Sequence, residues 1–442
     1  MCPIKAVSTP LDELYLRRSS VFERLGEGVM VLPSSPIQYA SRDNERPYVP
    51  DRELFYLTGL VEPGCAAVLV GGSAPRVEVY ARSRDDKAEL WTGPRLGPDG
   101  AKALSGADEV HPIGELEVRL PKLLEGADRI YARAGVSRAE SDLVLAALQT
   151  ARARGARYGS GPRGIIDPGE ILDDLRLKKS EHELGLIRTA CHITMTGHRA
   201  AAAAITDAEG EWSIEAELER SFRAAGASGP GFDSIVGGGH NACVLHYVQN
   251  NAPLCDGELV LIDAGAEYGL YHGDVTRTYP VNGKFSEEQR AVYQLVDEAR
   301  IAAILSAKPG VTITDVHEAA TRVLARGLLD LGFLDGDEDS VLAEGVYRDF
   351  FPHQTSHWLG LDVHDPGDYR SDGFGRVLEV GMVFTIEPGL YFRPGREDYK
   401  TAGWAGIGVR IEDDVVVTAE GVEVLTKMLP TSLDEVEEAV VR

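Results

Sequence analysis

The chain has 442 residues, and its 45 Lys and Arg against 70 Asp and Glu leave a formal charge of −25. With 43% hydrophobic and 26% charged residues it reads as a soluble globular protein of roughly two or three domains, which excludes a disordered or fibrous chain. The excess negative charge repels phosphate backbones and anionic lipid surfaces, so neither nucleic acid nor membrane is an expected partner.

Residues 1–28 mix Asp, Glu and Arg with single apolar residues and carry no hydrophobic region of a secretory signal. No run reaches the ~18 apolar residues of a membrane span, and the Ala-rich stretch 200–205 is much too short. Cys2, Cys65, Cys191, Cys243 and Cys255 are scattered and never spaced C-x-x-C. Idle free thiols fit a reducing cytoplasm and argue against a disulfide scaffold or a zinc knuckle.

The first part of the chain predicts strands over 28–32, 66–70 and 77–80, with helices over 11–25 and 138–153. That alternation is an α/β pattern. Residues 155–169 are dense in Gly and Pro, which interrupt regular structure, so a first domain is expected over 1–160, a linker over 161–174 and a second domain over 175–442. In the second domain Ser180 with Glu183, and Ser286 with Gln289, have the spacing of capping boxes that open helices. A third helix is expected over 315–331, stopped by Gly332. Strand-like runs at 258–263, 274–281, 382–387 and 409–418 make this half α+β. There is no short-period repeat and no low-complexity tract.

Four of those strand-like runs carry an acid where an apolar residue belongs. Asp263 ends one run, Asp274 begins the run that returns from it, Glu387 closes the third, and Glu412 interrupts the fourth. A lone Asp of this kind is usually a turn residue or a cap. Four strands each presenting a carboxylate are harder to read as solvated faces. Strand alternation places Arg410 on the same face as Glu412. Histidine adds to the pattern: His353, His357 and His364 lie within twelve residues, and His246 stands apart from them.

Four carboxylates with one or more imidazoles form a hard, oxygen-rich set suited to Mn²⁺, Fe²⁺, Co²⁺, Zn²⁺ or Mg²⁺. Two such ions can activate a water near neutral pH, so hydrolysis of an amide or a phosphoester is the expected reaction class. H-E-x-x-H, G-x-S-x-G and G-x-x-x-x-G-K-[ST] are all missing, and Gly237-Gly238-Gly239 lacks the third glycine of a dinucleotide loop. That glycine run reads as a close backbone approach or a turn beside the site.

The segments LIDAGAEYGLYHGDVTRT, HQTSHWLGLDVHD, FTIEPGLYF and GIGVRIEDD strongly resemble the dinuclear metallopeptidases of the pita-bread fold, and within them the proline-specific aminopeptidase P family. FYLTG and ELWTGPRLG resemble that family's N-terminal domain, so the likeness covers nearly the whole chain. It implies an α/β N-terminal domain and an α+β pita-bread catalytic domain. It also implies two divalent ions, Mn²⁺ first, with Co²⁺, Zn²⁺ or Fe²⁺ as alternatives. Asp263 resembles a ligand of the first metal, Asp274 and Glu412 bridging ligands, and His357 and Glu387 ligands of the second. Glu387 is also the family's proton shuttle. His246, His353 and His364 resemble the histidines that hold the substrate, Arg410 orients the substrate or its neighbouring acids, and Tyr391 walls the pocket. Trp91 resembles a tryptophan that closes the proline pocket of a neighbouring subunit, which implies a homodimer or homotetramer.

The activity implied is removal of the first residue from peptides with proline second, by a hydroxide bridging the metals. The rivals are a prolidase of the same fold, which cuts X-Pro dipeptides, and a non-catalytic pita-bread peptide-binding module. Methionine aminopeptidases share the ligand order but normally lack so large an N-terminal domain.

Overall fold

A computed structural model describes residues 8–133, 135, 138–156, 161–371, 373–395 and 403–441. Cys2 lies outside them. The chain divides into two compact units, Ala6–Leu175 and Arg176–Arg442.

In the first unit a six-stranded mixed sheet has the order Glu109–Pro112, Arg76–Ala81, Ala66–Val70, Val29–Pro33, Ile130–Tyr131, Ile165–Ile166. The strands expected from sequence are its antiparallel centre, and their near-continuous apolar runs are buried almost throughout. Parallel strands extend both sides. The expected helices form as Leu11–Leu25 and Arg138–Gly155, and the second of these gives Val144, Ala147, Leu148 and Ala151 to the core. Residues 161–174, expected as a linker, are instead folded. Ile165–Ile166 pairs in parallel with Ile130–Tyr131, satisfying backbone groups that a bare sheet edge would leave open, and helix Gly169–Leu177 starts soon after.

The second unit contains two helix pairs and, among the described residues, three three-stranded antiparallel sheets, two of which carry the expected site residues. Helices Glu181–Ala204 and Glu211–Ala224 pack together, as do Glu287–Ser306 and Ile313–Asp330. Of those two sheets, one is Ile235–Gly238, Leu259–Ala264, Val275–Pro280; the other is Val383–Ile386, Asp413–Val417, Val422–Val424. One continuous core, including Ile193, Phe222, Val260, Val296, Leu324, Phe384 and Val415, fills the space between helices and sheets.

Local chemistry explains the helix starts. Ser180 Oγ accepts from the Glu183 amide at 3.3 Å while Glu183 accepts from the Ser180 amide at 3.0 Å, and Ser286 with Gln289 repeats the exchange. The third helix begins two residues before its expected start, because Thr312 is the cap and Asp315 its third-residue partner. The strand expected over 409–418 is two strands, Gly408–Arg410 and Asp413–Val417. Between them the chain changes partner: Arg410 pairs with Gly389, the Glu412 amide donates to Thr276 O at 3.0 Å, and Asp413 pairs with Ile386.

His198, buried in helix Glu181–Ala204, donates from Nε2 to the Ala264 carbonyl at 3.0 Å. Burial pushes its pKa down to about 4. Below about pH 6.5 the unfolded chain gains a proton there that the folded chain refuses, so this contribution to stability is present above pH 6.5 and is lost as pH falls toward 4. A shift of this size is worth at most about 3 kcal/mol. His198→Gln, which donates but cannot titrate, is expected to lower Tm at pH 7.5 yet flatten its fall between pH 6.5 and 4.5. Parallel pH profiles for the two proteins would refute this.

Candidate active site

Strand Leu259–Ala264 ends at the core side of the first sheet, with Asp263 opposite Thr276 in the antiparallel register. Asp274 lies two residues before Thr276, so both acids leave the same face. What closes the distance is backbone contact: a Cβ on Gly265 would fall 1.7 Å from the Gly273 carbonyl oxygen, so only glycine allows these chain segments to meet. Gly237 and Gly238 likewise serve the strand that pairs with Leu259–Ala264, and Gly239 turns the chain out of it at φ +52.

The second sheet supplies the other acids. Glu387 follows strand Val383–Ile386, its amide donating to Thr355 O at 2.8 Å, and Glu412 occupies the break between the two strands described above. His357 comes from the irregular segment after Phe351. Its amide donates to Thr385 Oγ1 at 3.1 Å, and that hydroxyl donates onward to Glu387 at 3.3 Å.

The side chains converge. His357 Nε2 lies 3.3 Å from Asp274 Oδ2 and 3.6 Å from Glu387 Oε1. Ligand atoms of Asp274, His357 and Glu412 all lie within 4.8 Å of one another. Arg410 Nη2 donates to Asp263 at 2.6 Å, its Nε to Thr276 Oγ1 at 3.1 Å and its Nη1 to the Tyr391 hydroxyl at 2.9 Å. Tyr391 in turn donates to His353 Nε2 at 2.8 Å, and His353 Nδ1 donates to the Gln354 carbonyl. His246, His353 and His364 line the same cavity of about 340 Å³ as the metal-ligand candidates. The His364 ring stands edge-on to His357, centroids 4.4 Å apart.

Electrostatics follow from burial. Desolvation pushes Asp274 up to about 6 and Glu387 up to about 7, and it raises Glu412 well above the carboxylate range with help from Asp274. Burial alone would lower His357, but the Asp274 hydrogen bond and the Glu387 charge carry it up to about 9. His353 is pushed down to about 3 by burial and by Arg410, so it is neutral, as its hydrogen bonds require.

A hard divalent cation fits this donor set. Asp263 Oδ1 and Asp274 Oδ1 are buried and lack a hydrogen-bond partner, which is costly for a carboxylate oxygen unless an ion meets it. His357 Nδ1 donates to the Trp358 carbonyl at 3.1 Å, leaving Nε2 on the side of the acids.

Ten of the eleven expected site residues therefore lie in the second unit: nine line one cavity, and Tyr391, expected as a pocket wall, is instead buried behind it against His353 and Arg410. Trp91 belongs to the first unit, on helix Asp86–Thr92, where it is 86% exposed beside Leu90 at 83%.

Sequence reasoning missed the residues that hold these groups in place. Thr276 Oγ1 donates to Glu412 at 2.6 Å. Arg277 Nη1 donates to the carbonyls of Thr276 and Glu412, while Nη2 pairs with Asp413 at 2.8 Å; Arg300 takes the other Asp413 oxygen at 2.7 Å. Asp414 accepts from the Asp274 amide at 2.9 Å. The segment carrying His357 and His364 closes through Asp365, whose amide donates to Trp358 O and whose carboxylate meets Arg176 at 2.6 Å and Lys179 at 3.0 Å. The available signal was polarity inside expected strands: Thr276, Arg277 and Thr278 are consecutive and fully buried.

The model of metallopeptidase family M24 matches residues 185–419, and that of the aminopeptidase P N-terminal domain matches residues 15–131. The chain belongs to metallopeptidase family M24. It is 38% identical over 429 residues to the Xaa-Pro aminopeptidase of Escherichia coli strain K12, covering 96% of this chain and 97% of that one. It is 32% identical to human Xaa-Pro aminopeptidase 3, over 92% of this chain and 80% of that protein. The solved structure of Pseudomonas aeruginosa aminopeptidase PepP superposes with a TM-score of 0.93 at 41% identity, covering 98% of this chain and 99% of that one. A zinc-substituted Escherichia coli aminopeptidase P in complex with product gives 0.93 at 38% identity, with 98% and 99% covered. The second unit thus has the M24 pita-bread fold, and the first is an aminopeptidase P N-terminal domain. As an M24 metallopeptidase the chain binds divalent metal.

Asp274 and Glu387 have raised pKa values in the metal-free chain, so each contributes stability below the unfolded carboxylate range that is lost as pH rises through about 6 to 7. Chelating the metal is expected to lower Tm more at pH 8 than at pH 5.5, measured by calorimetry. A loss that is larger at pH 5.5 would contradict the buried-carboxylate account.

Proposed function

We infer that this chain is an Xaa-Pro aminopeptidase, a hydrolase that removes the first residue from peptides with proline second. The observation that carries the reading is the convergence of Asp263, Asp274, His357, Glu387 and Glu412 on one cavity that is also lined by three further histidines. Family membership and full-length likeness to Xaa-Pro aminopeptidases support it.

In this reading Asp263, Asp274, His357, Glu387 and Glu412 hold two divalent ions, with Mn²⁺ preferred and Co²⁺, Zn²⁺ or Fe²⁺ as substitutes. When bound, the ions supply Lewis acidity to the scissile carbonyl and make a water acidic enough to attack. The chain's own residues do the rest. A bond before proline is a tertiary amide with no N–H, so recognition comes from enclosing the ring and contacting the carbonyl. Val248 and Ile235 in the cavity wall give the apolar surface for that ring. His246 and His364 offer imidazole donors toward the carbonyl oxygen as negative charge develops there, while His353, with both nitrogens committed to Gln354 and Tyr391, forms the wall beside them. Glu387 takes the proton of the attacking water at a carboxylate oxygen and returns it to the proline nitrogen as the bond breaks. Arg410 fixes Asp263 and Tyr391, and through Tyr391 the His353 ring, so one guanidinium aligns a metal-ligand candidate and the substrate wall together.

The exposure of Trp91 supports a role toward another copy of the chain, because a large apolar side chain left this exposed on a short helix is suited to covering a neighbour's pocket. A homodimer or homotetramer is therefore proposed, working on peptides in the cytoplasm. Among the described residues no helix is long and apolar enough to cross a membrane.

Steady-state kinetics on X-Pro-Y tripeptides and the matching X-Pro dipeptides tests the reading. At least tenfold higher kcat/KM on the tripeptides is expected, lost on stripping metal and restored by Mn²⁺; preference for the dipeptides would make the chain a prolidase. Glu387→Ala is expected to lower kcat about 10³-fold while the circular dichroism stays native. Retained turnover would remove its assigned role, and a fully active monomer on gel filtration would remove that of Trp91.

A further inference from the structure

The active-site cavity is not the largest in the second unit. A cavity of about 860 Å³ is lined by helix Ile313–Asp330, the segment 342–348, Tyr369, Arg370 and, from the segment that carries the metal-ligand candidate, Gln354, Ser356 and His357, so His357 borders both cavities. Its polar lining is rich in donors. Arg322, Arg348 and Arg370 all face it, against one acid, Glu318, in a chain whose formal charge is −25. Among the described residues neither Arg348 nor Arg370 forms an ion pair, and Arg322 meets Glu338 only at 3.4 Å. Ser356, between the buried Thr355 and the metal-ligand candidate His357, is 8% exposed, and its hydroxyl is buried with no hydrogen-bond partner. A buried hydroxyl without a partner is destabilising, so its position calls for an acceptor.

We propose that this cavity, which borders the active-site cavity at His357 but contains none of its four carboxylates, is a second binding site for a ligand bearing a carboxylate. Guanidinium groups match a carboxylate through paired N–H donors, and Ser356 adds an O–H donor. Ile313, Leu342, Tyr347 and Tyr369 give the cavity apolar surface for the body of such a molecule, which suits a peptide C-terminus or a small organic acid better than a bare inorganic ion.

The site is mechanically joined to the catalytic residues. His317 lines the cavity and its Nδ1 accepts from the Thr355 amide at 3.2 Å, while the Thr355 carbonyl accepts from the Glu387 amide at 2.8 Å. A carboxylate held by Ser356 and the arginines therefore acts on the backbone that sets His357 and Glu387 without touching either carboxylate or metal.

Isothermal titration of the metal-loaded full chain tests this, with an N-acetylated dileucine acid, its amide and acetate as probes; the blocked amine prevents turnover. One equivalent of the acid is expected to bind at least tenfold more tightly than the amide. Arg348→Ser with Arg370→Ser should weaken the acid at least tenfold, with X-Pro-Y turnover kept within twofold, and Ser356→Ala should weaken it about fivefold. Acetate binding that depends on the same arginines would assign the site to small acids, and its failure beside tight peptide-acid binding would assign it to peptide termini. Saturating acid should also change kcat in a way that excess substrate does not reverse, an effect lost in the double variant. Equal affinity for acid and amide, wild-type affinity in the double variant, or purely competitive inhibition that survives in it would place the carboxylate elsewhere and overturn the proposal.

Discussion

Four largely buried carboxylates forced into one cavity are the constraint on which the rest of the catalytic unit depends. Like charges at these distances repel strongly where water cannot screen them, and Arg410 with His357 offers too little positive charge to balance them. The raised pKa values of Asp274, Glu387 and Glu412 report that repulsion together with burial. Divalent cations resolve it, because the largest charges in such a site belong to the ions themselves. The polypeptide's task is to keep the acids from moving apart.

It does so from behind. Arg277 draws the carbonyls of Thr276 and Glu412 toward a single nitrogen and anchors itself on Asp413, which Arg300 also holds. Asp414 secures the Asp274 amide, Thr385 links His357 to Glu387, and Asp365 with Arg176 and Lys179 closes the segment that carries His357 and His364. The two halves contribute in parallel. Each is a helix pair followed by a three-stranded sheet, the first half giving Asp263 and Asp274 and the second Glu387 and Glu412.

How much of this was legible from sequence depends on the range of the interaction. Asp263, Asp274, Glu387 and Glu412 stand out because each breaks an apolar run, a contradiction visible within six residues. The capping boxes at Ser180 and Ser286 are equally local. At Thr312 the same motif was present, but its third residue is Asp where Glu or Gln is usual, and the helix start was placed too late. The break at 411–412 was hidden because Val409, Ile411 and Val415–Val417 read as one apolar-bearing run, and only the arrival of Thr276 as a new partner ends the first strand. Residues 161–174 looked like a linker because Gly and Pro are read as interruptions, whereas an edge strand of two residues needs little from its sequence. The clamp of Asp365 by Arg176 joins residues 189 apart, and nothing in either neighbourhood announces it.

The Glu412 amide that donates to Thr276 also ties the two sheets at the one place where ligands from both meet. Hinge-like parting of the halves would have to break that bond, the Thr276 hydroxyl contact and the Arg277 clamp together, and would carry Glu412 away from Asp274. Peptide traffic therefore cannot depend on the catalytic unit opening and closing along its seam. The loop bearing His246 and Val248 borders the cavity without joining that seam, so contacts to the peptide and retention of the metal rest on separate parts of the chain: the first on loops, the second on the strands.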